Sequence, residues 1–198
     1  MEYEAFEKGI EVNGQTVWAI VDGFKAFTLL ASQYLLEEKI GERGETGVAV
    51  VRPDGWYSQE AWLRVFKKIG TSVGDSVLFQ IGASIPRNAK FPPWVTDVHS
   101  AIKSIDIAYH MNHRKGGEDM FDPTAGKMLE GIGHYGYEGV AGKNKIVSVC
   151  QNPYPCAFDR GIVTAMAQRF APVAQVVHED DKPCRKKGGD SCTYAVSW

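Results

Sequence analysis

The sequence is short of several things, and each shortage removes a class of function. Residues 1–149 contain no cysteine, and all four cysteines lie between positions 150 and 192. No apolar run reaches the roughly 18 residues that a membrane-spanning helix needs, so no membrane span is expected. Basic charge is not in excess. The formal net charge is −2, which provides no field for nucleic acid or an anionic membrane. The opening residues, M-E-Y-E-A-F-E-K, are acidic and lack an apolar centre, so they do not read as a signal peptide. The expected location is therefore cytoplasmic, a compartment that keeps thiols reduced. There is no internal repeat and no low-complexity linker. G-T-S-V-G at 70–74 lacks the G-K-[ST] of a phosphate loop. No Ser-His-Asp order, paired-carboxylate motif, or nicotinamide or flavin fingerprint stands out.

What is present suits one domain over residues 1–198, with 44% hydrophobic and 23% charged residues. After a V-N-G turn, Val17, Ile20, Val21, Phe24, Phe27, Ala31, Tyr34 and Leu35 recur at helical spacing, to about Gly41. Ser58 is placed to cap a helix carrying Ala61, Trp62, Val65, Phe66 and Ile69, stopped by Gly70. A third helix fits Val73, Val77, Leu78, Ile81 and Ile85, ended by Pro86. Pro92 and Pro93 open a fourth through Ile102. Ile105, Ile107, Tyr109 and Met111 then alternate with other residues, which predicts a half-buried strand with His110 and His113 on opposite faces. A hairpin follows around A-G-K-N, then a helix over Cys156–Phe170 and strands over Ala174–His178 and Cys192–Trp198. The expected class is α+β. A helical layer (1–104) packs on a mainly antiparallel sheet with one late helix (105–198).

Four cysteines within 43 residues could supply the four ligands of a tetrahedral zinc. Cys150 and Cys156 form C-x5-C, and Cys184 and Cys192 form C-x7-C across a basic turn. Arg185, Lys186 and Lys187 either offset thiolate charge there or make a solvated turn. E-D-D at 179–181 reads as a solvated loop.

C-A-F-D-R-G-I-V-T-A, V-V-H-E-D-D-K-P-C and G-G-D-S-C-T-Y-A-V together resemble the 4-vinyl reductase domain family. That family includes sensor domains of phenol-responsive activators. It is distantly similar to haem nitric-oxide-binding and TRAPP-type domains. The matching residues are Cys156, Gly161, Cys184, Gly189, Asp190 and Cys192, within about 130–198. The resemblance implies a structural zinc on Cys156, Cys184 and Cys192, although thiolate sites also admit iron. Cys150 is preferred as fourth ligand, with His134 and then His178 as alternatives.

The leading expectation is a small-molecule sensory or regulatory domain. It would bind an apolar or aromatic ligand between helices and sheet, near His110, His113, His134, Tyr135 and Tyr137. The resemblance implies a homodimer. The sequence contains no ATPase, cyclase or DNA-binding segment, so output would pass through a separate effector protein. The alternatives are an enzyme or accessory protein of tetrapyrrole or aromatic metabolism, using the histidines, and a protein-interaction module. No catalytic residue is assigned, and an enzyme is the less favoured reading.

Overall fold

The computed structural model describes residues 2–23 and 27–198. The amino-terminal half contains β1 (Ile10–Asn13), α1 (Gly14–Gly23), α2 (Thr28–Glu37), β2 (Glu42–Arg43), β3 (Ala49–Val50) and β4 (Trp56–Ser58). It continues with α3 (Gln59–Val73), α4 (Asp75–Asn88) and α5 (Val98–Met111). Short strands follow: β5 (His113–Lys115), β6 (Glu118–Asp119), β7 (Phe121–Asp122), β8 (Lys127–Met128), β9 (His134–Tyr135) and β10 (Glu138–Gly139). The chain closes with β11 (Lys145–Gln151), α6 (Cys156–Phe170), β12 (Gln175–His178) and β13 (Cys192–Ser197). The architecture is α+β. One antiparallel sheet runs β10-β11-β13-β12, with β9 also paired to β11. A second, β4-β1-β5-β6, lies among the helices and has no counterpart in the sequence reading.

The segment expected as one helix up to Gly41 is two, α1 and α2; Phe24 lies outside the described residues. Ser58 caps α3 as its sequence suggests, its hydroxyl accepting the Ala61 N–H at 3.3 Å. Ala61, Trp62, Val65, Phe66 and Ile69 form its buried stripe. The helix runs past Gly70 and stops at Gly74, whose φ of +78° suits a residue without a Cβ. Pro86 sits inside the last turn of α4 rather than ending the helix before it.

The strand expected over 105–112 is helical. Asp97 opens α5 with a capping box: its carboxylate accepts the Ser100 N–H at 2.7 Å, and Ser100 Oγ accepts the Asp97 N–H at 3.0 Å. The helix therefore starts five residues after Pro93, and its buried face is Val98, Ala101, Ile102, Ile105 and Tyr109. Met111, inward in the alternating pattern, is 53% exposed. The helical stripe buries more apolar surface than alternation would, and it prevails.

Helix α6 joins the two halves. It packs against α4 on one side and against β12 and β13 on the other. The α4–α6 crossing is backbone on backbone. A Cβ at Gly82 would fall 2.0 Å from the Phe158 carbonyl oxygen, and one at Gly161 would fall 2.2 Å from that of Phe79. An edge-to-face aromatic cluster lies where α3 meets the start of α6. Phe66 contacts Trp62 at 4.7 Å between ring centroids, Phe158 at 4.9 Å and Tyr154 at 5.6 Å.

Candidate metal centre

Three segments converge at the end of the sheet. Cys156 is the first residue of α6, His178 the last of β12, and Cys192 the first of β13. Cys184 lies in the loop joining the two strands. One ligand atom from each of these four residues lies within 4.8 Å of the other three. The Sγ atoms of Cys184 and Cys192 are 4.0 Å apart. That is close to the roughly 3.8 Å edge of a tetrahedron with metal–sulfur bonds of about 2.3 Å.

The surroundings orient the donors. His178 Nδ1 donates to Asp180 Oδ1 at 3.1 Å, while its Nε2 is buried and has no hydrogen-bond partner among the described residues. A ring nitrogen left bare opposite three thiols, with the other nitrogen held by a carboxylate, is the usual arrangement around a metal-bound imidazole. Tyr194 Oη donates to the Cys156 carbonyl at 2.7 Å and lies 3.3 Å from its Sγ. The Arg185 N–H points at Cys192 Sγ from 3.4 Å. Closeness to Cys156, together with the Arg185 charge, holds the Cys192 thiol well below its ordinary range, and the same closeness with burial pushes the Cys156 thiol up.

Cys150, preferred from the sequence as fourth ligand, is not one of the four. It faces Cys192 across the β11–β13 ladder, fully buried, with Sγ 3.8 Å from Ser148 Oγ. Burial raises its thiol well above the ordinary range. Cys150 and His178 flank β13 on opposite sides. The loop carrying Cys184 leaves β12 immediately after His178, so it closes over that side. His134 is elsewhere too. It lies between Asp106 Oδ2 at 3.0 Å and Glu130 Oε2 at 3.1 Å.

Of the residues expected around a ligand, His110 and His134 come together beside Asp106, and the side chains of His113, Tyr135 and Tyr137 lie apart from them. His113 is buried, with Nδ1 2.7 Å from the Tyr109 carbonyl and Nε2 2.9 Å from Tyr154 Oη. Burial lowers it to about 4, so it is neutral. Tyr135 donates to Asp159 at 2.6 Å. Tyr137 bonds His99 Nδ1 at 2.7 Å. His110 lies on α5, its Nδ1 2.8 Å from the Asp106 carbonyl. Sequence reasoning also missed a buried network. Arg185 pairs with Asp159 and donates to Asn152 and Tyr154, with both charged side chains fully enclosed. Lys186, on the same turn, pairs with Asp75.

No protein-family model and no curated protein matches the chain. Solved structures do. An H-NOX protein from S. oneidensis in the Fe(II)NO ligation state is 16% identical, with a TM-score of 0.59 over 93% of this chain and 98% of that one. An unliganded Fe(II) H-NOX protein from K. algicida is 14% identical, with a TM-score of 0.59 over 93% and 95%. A structure from work on heme distortion in the H-NOX family is 14% identical, with a TM-score of 0.62 over 94% of each chain. The chain therefore shares the H-NOX fold, the relation that the sequence ranks as distant. Among the described residues no helix is long and apolar enough to cross a membrane.

Proposed function

We propose that the chain is a small-molecule sensory or regulatory domain whose carboxy-terminal half is clasped by a structural zinc ion on Cys156, His178, Cys184 and Cys192. The observation that carries this reading is the mutual closeness of the four donors, with a bare His178 Nε2 among them. Three thiolates and an imidazole suit zinc, and four protein ligands leave no open position for a reacting water, which favours structure over catalysis. The resemblance to 4-vinyl reductase domains points the same way through Cys156, Cys184 and Cys192. In that family Gly161 also recurs, and here it lets α4 and α6 touch.

For the ligand, the supporting feature is the aromatic interior. Trp62 Nε1 on α3 is fully buried and has no hydrogen-bond partner among the described residues, and Gln59, one turn before it, is buried beside the Tyr109 and Tyr154 hydroxyls. Unpaired buried polar groups inside apolar walls are what a small aromatic or apolar ligand with one polar handle would satisfy. Output through a separate effector protein, and assembly as a homodimer, belong to the same reading.

The H-NOX structures carry iron, and one concerns heme directly. The side chains here do not fit that group. A haem needs an axial ligand facing an open slot. His113 has both nitrogens engaged, His178 belongs to the cysteine cluster, and His134 lies between carboxylates. His99 bonds Tyr137 and packs against Trp198, and His110, although its Nε2 is bare, is fully buried.

The test is elemental mass spectrometry on untagged native protein, with thiol titration before and after chelation. The expected result is one zinc per chain, lost in Cys184→Ser together with thermal stability. Unchanged metal content in that variant sinks the zinc assignment, and iron in place of zinc corrects the ion. A sharpened and shifted Soret band that saturates at one equivalent of added hemin, against hemin alone, would overturn the exclusion of haem.

A further inference from the structure

A second group of metal-ligating side chains lies away from the cysteines and shares no residue with them. One ligand atom from each of Asp106, His110 and His134 lies within 4.8 Å of the other two. Asp106 and His110 are one turn apart on α5, and His134 comes from β9, which packs against that helix. The Asp106 carboxylate is already fixed by the Tyr135 backbone N–H, which donates to Oδ1 at 2.8 Å, so Oδ2 faces His134 Nδ1 at 3.0 Å. Glu130 approaches the other side of the His134 ring, with Oε2 3.1 Å from Nε2.

His110 is the informative member. Its side chain is fully buried, and the Asp106 carbonyl takes the Nδ1 hydrogen at 2.8 Å. With Nδ1 so engaged, Nε2 is the nitrogen left for a partner, and it is buried with none among the described residues. A buried acceptor left unpaired is destabilising, and native proteins rarely keep one without a use. The two rings are also spaced as a shared ion would hold them, with centroids 4.9 Å apart. Imidazoles bound to one ion at about 2.1 Å, at near-tetrahedral to right angles, have centroids roughly 4.6–5.3 Å apart. His134 and Glu130 are partly exposed, with side-chain exposures of 37% and 82%, so an ion can enter from solvent.

We propose that Asp106, His110 and His134 form a second, thiolate-free site for a divalent first-row transition-metal ion, with Glu130 as a mobile carboxylate at its mouth. Two imidazoles and a carboxylate select borderline ions over calcium and magnesium. With three fixed protein ligands, the site keeps open positions, unlike the cysteine clasp. The two sites bridge different elements: one ties α6 to β12 and β13, and the other ties α5 to β9.

Cobalt(II) titration of the metal-stripped full chain, followed by absorption, separates them. The cysteine site gives thiolate-to-cobalt charge-transfer bands, whereas the second site gives only weak ligand-field bands. The expected result is a second equivalent without charge transfer. In His134→Ala and in Asp106→Asn it weakens by more than about tenfold, while any thiolate-bound equivalent is unchanged. A native chain with no thiolate-free equivalent, or one that survives either substitution, overturns the proposal. Failure of the zinc clasp would remove only the charge-transfer bands, so the two assignments stand or fall separately.

Discussion

Arg185 and Asp159 form an ion pair from which water is wholly withdrawn, and it links the loop between β12 and β13 to the first turn of α6. Burial pushes the Asp159 carboxyl up even beside Arg185, Tyr135 and Asn152. The pair is needed because the rest of the network was built around it. Truncating one partner strands a buried charge, which costs about 3–5 kcal/mol. Arg185→Met is therefore expected to lower unfolding free energy by about that amount in denaturant titrations. Arg185→Met combined with Asp159→Leu should recover much of the loss. A single variant as stable as the native protein would show that the pair carries no weight.

Cys150 and His178 make a matched pair of tests. Cys150→Ser changes a fully buried residue outside the four-donor group, so it is expected to leave metal content at one ion per chain. His178→Ala removes a ligand, and metal affinity should fall by more than about a hundredfold. Competition with a chromophoric chelator measures both. The reverse pattern would return the fourth position to Cys150.

The α4–α6 crossing admits no side chain. Gly161→Ala would force a methyl against the Phe79 carbonyl oxygen at 2.2 Å, and Gly82→Ala would do the same to Phe158 at 2.0 Å. Because the obstacle is backbone, the helices must separate, and a destabilisation at or above the upper end of the ordinary 1–3 kcal/mol for overpacking is expected, about 3 kcal/mol for each. Gln80→Gly, at an exposed position of α4, is the control for helix propensity alone and should cost about 1 kcal/mol or less. Equal losses in all three would remove the packing argument.

His113 makes stability depend on pH. Its folded-state value is lowered to about 4 by burial, against 6.5 for the free side chain. The unfolded chain therefore binds the proton more readily between these values. Stability from this residue is complete above pH 6.5 and declines as pH falls towards 4, a total of about 3 kcal/mol. His113→Phe should flatten that part of the profile relative to native protein, measured by denaturation midpoints from pH 7.5 to 4.5. The difference between the two proteins is the quantity to read, because the thiolate site also weakens in acid. Parallel profiles would mean that the folded and unfolded chains protonate His113 alike, and the burial effect would be absent.

The carboxy-terminal half was legible because its signals are local. The helix Cys156–Phe170 has the bounds expected from its pattern, and β12 and β13 fall within a residue of theirs. Ser58 declared its helix through a cap that needs only three residues. The stretch from Ile105 to Met111 misled because apolar residues at every second place can also lie on a helical stripe. The decisive signal was Asp97 and Ser100, eight and five residues earlier, which form the capping box. The fourth donor was hidden for a different reason. Both Cys150 and His178 flank β13, and only the path of the loop between β12 and β13 decides which one meets Cys184. Asp159 and Arg185 carry no sequence signal at all, since a charged residue looks the same whether it ends in water or beside its opposite.

The Glu2 carboxylate accepts the Cys156 N–H at 2.6 Å across 154 positions, and the Tyr3 N–H donates to the Pro153 carbonyl at 2.7 Å. During synthesis, residues 2 and 3 must wait until Pro153 and Cys156 have emerged, and at about 5–20 residues per second that delay is on the order of ten seconds. What is translated before is thus placed after, and the start of α6, where Cys156 joins the donor cluster, is also where residues 2 and 3 are finally moored.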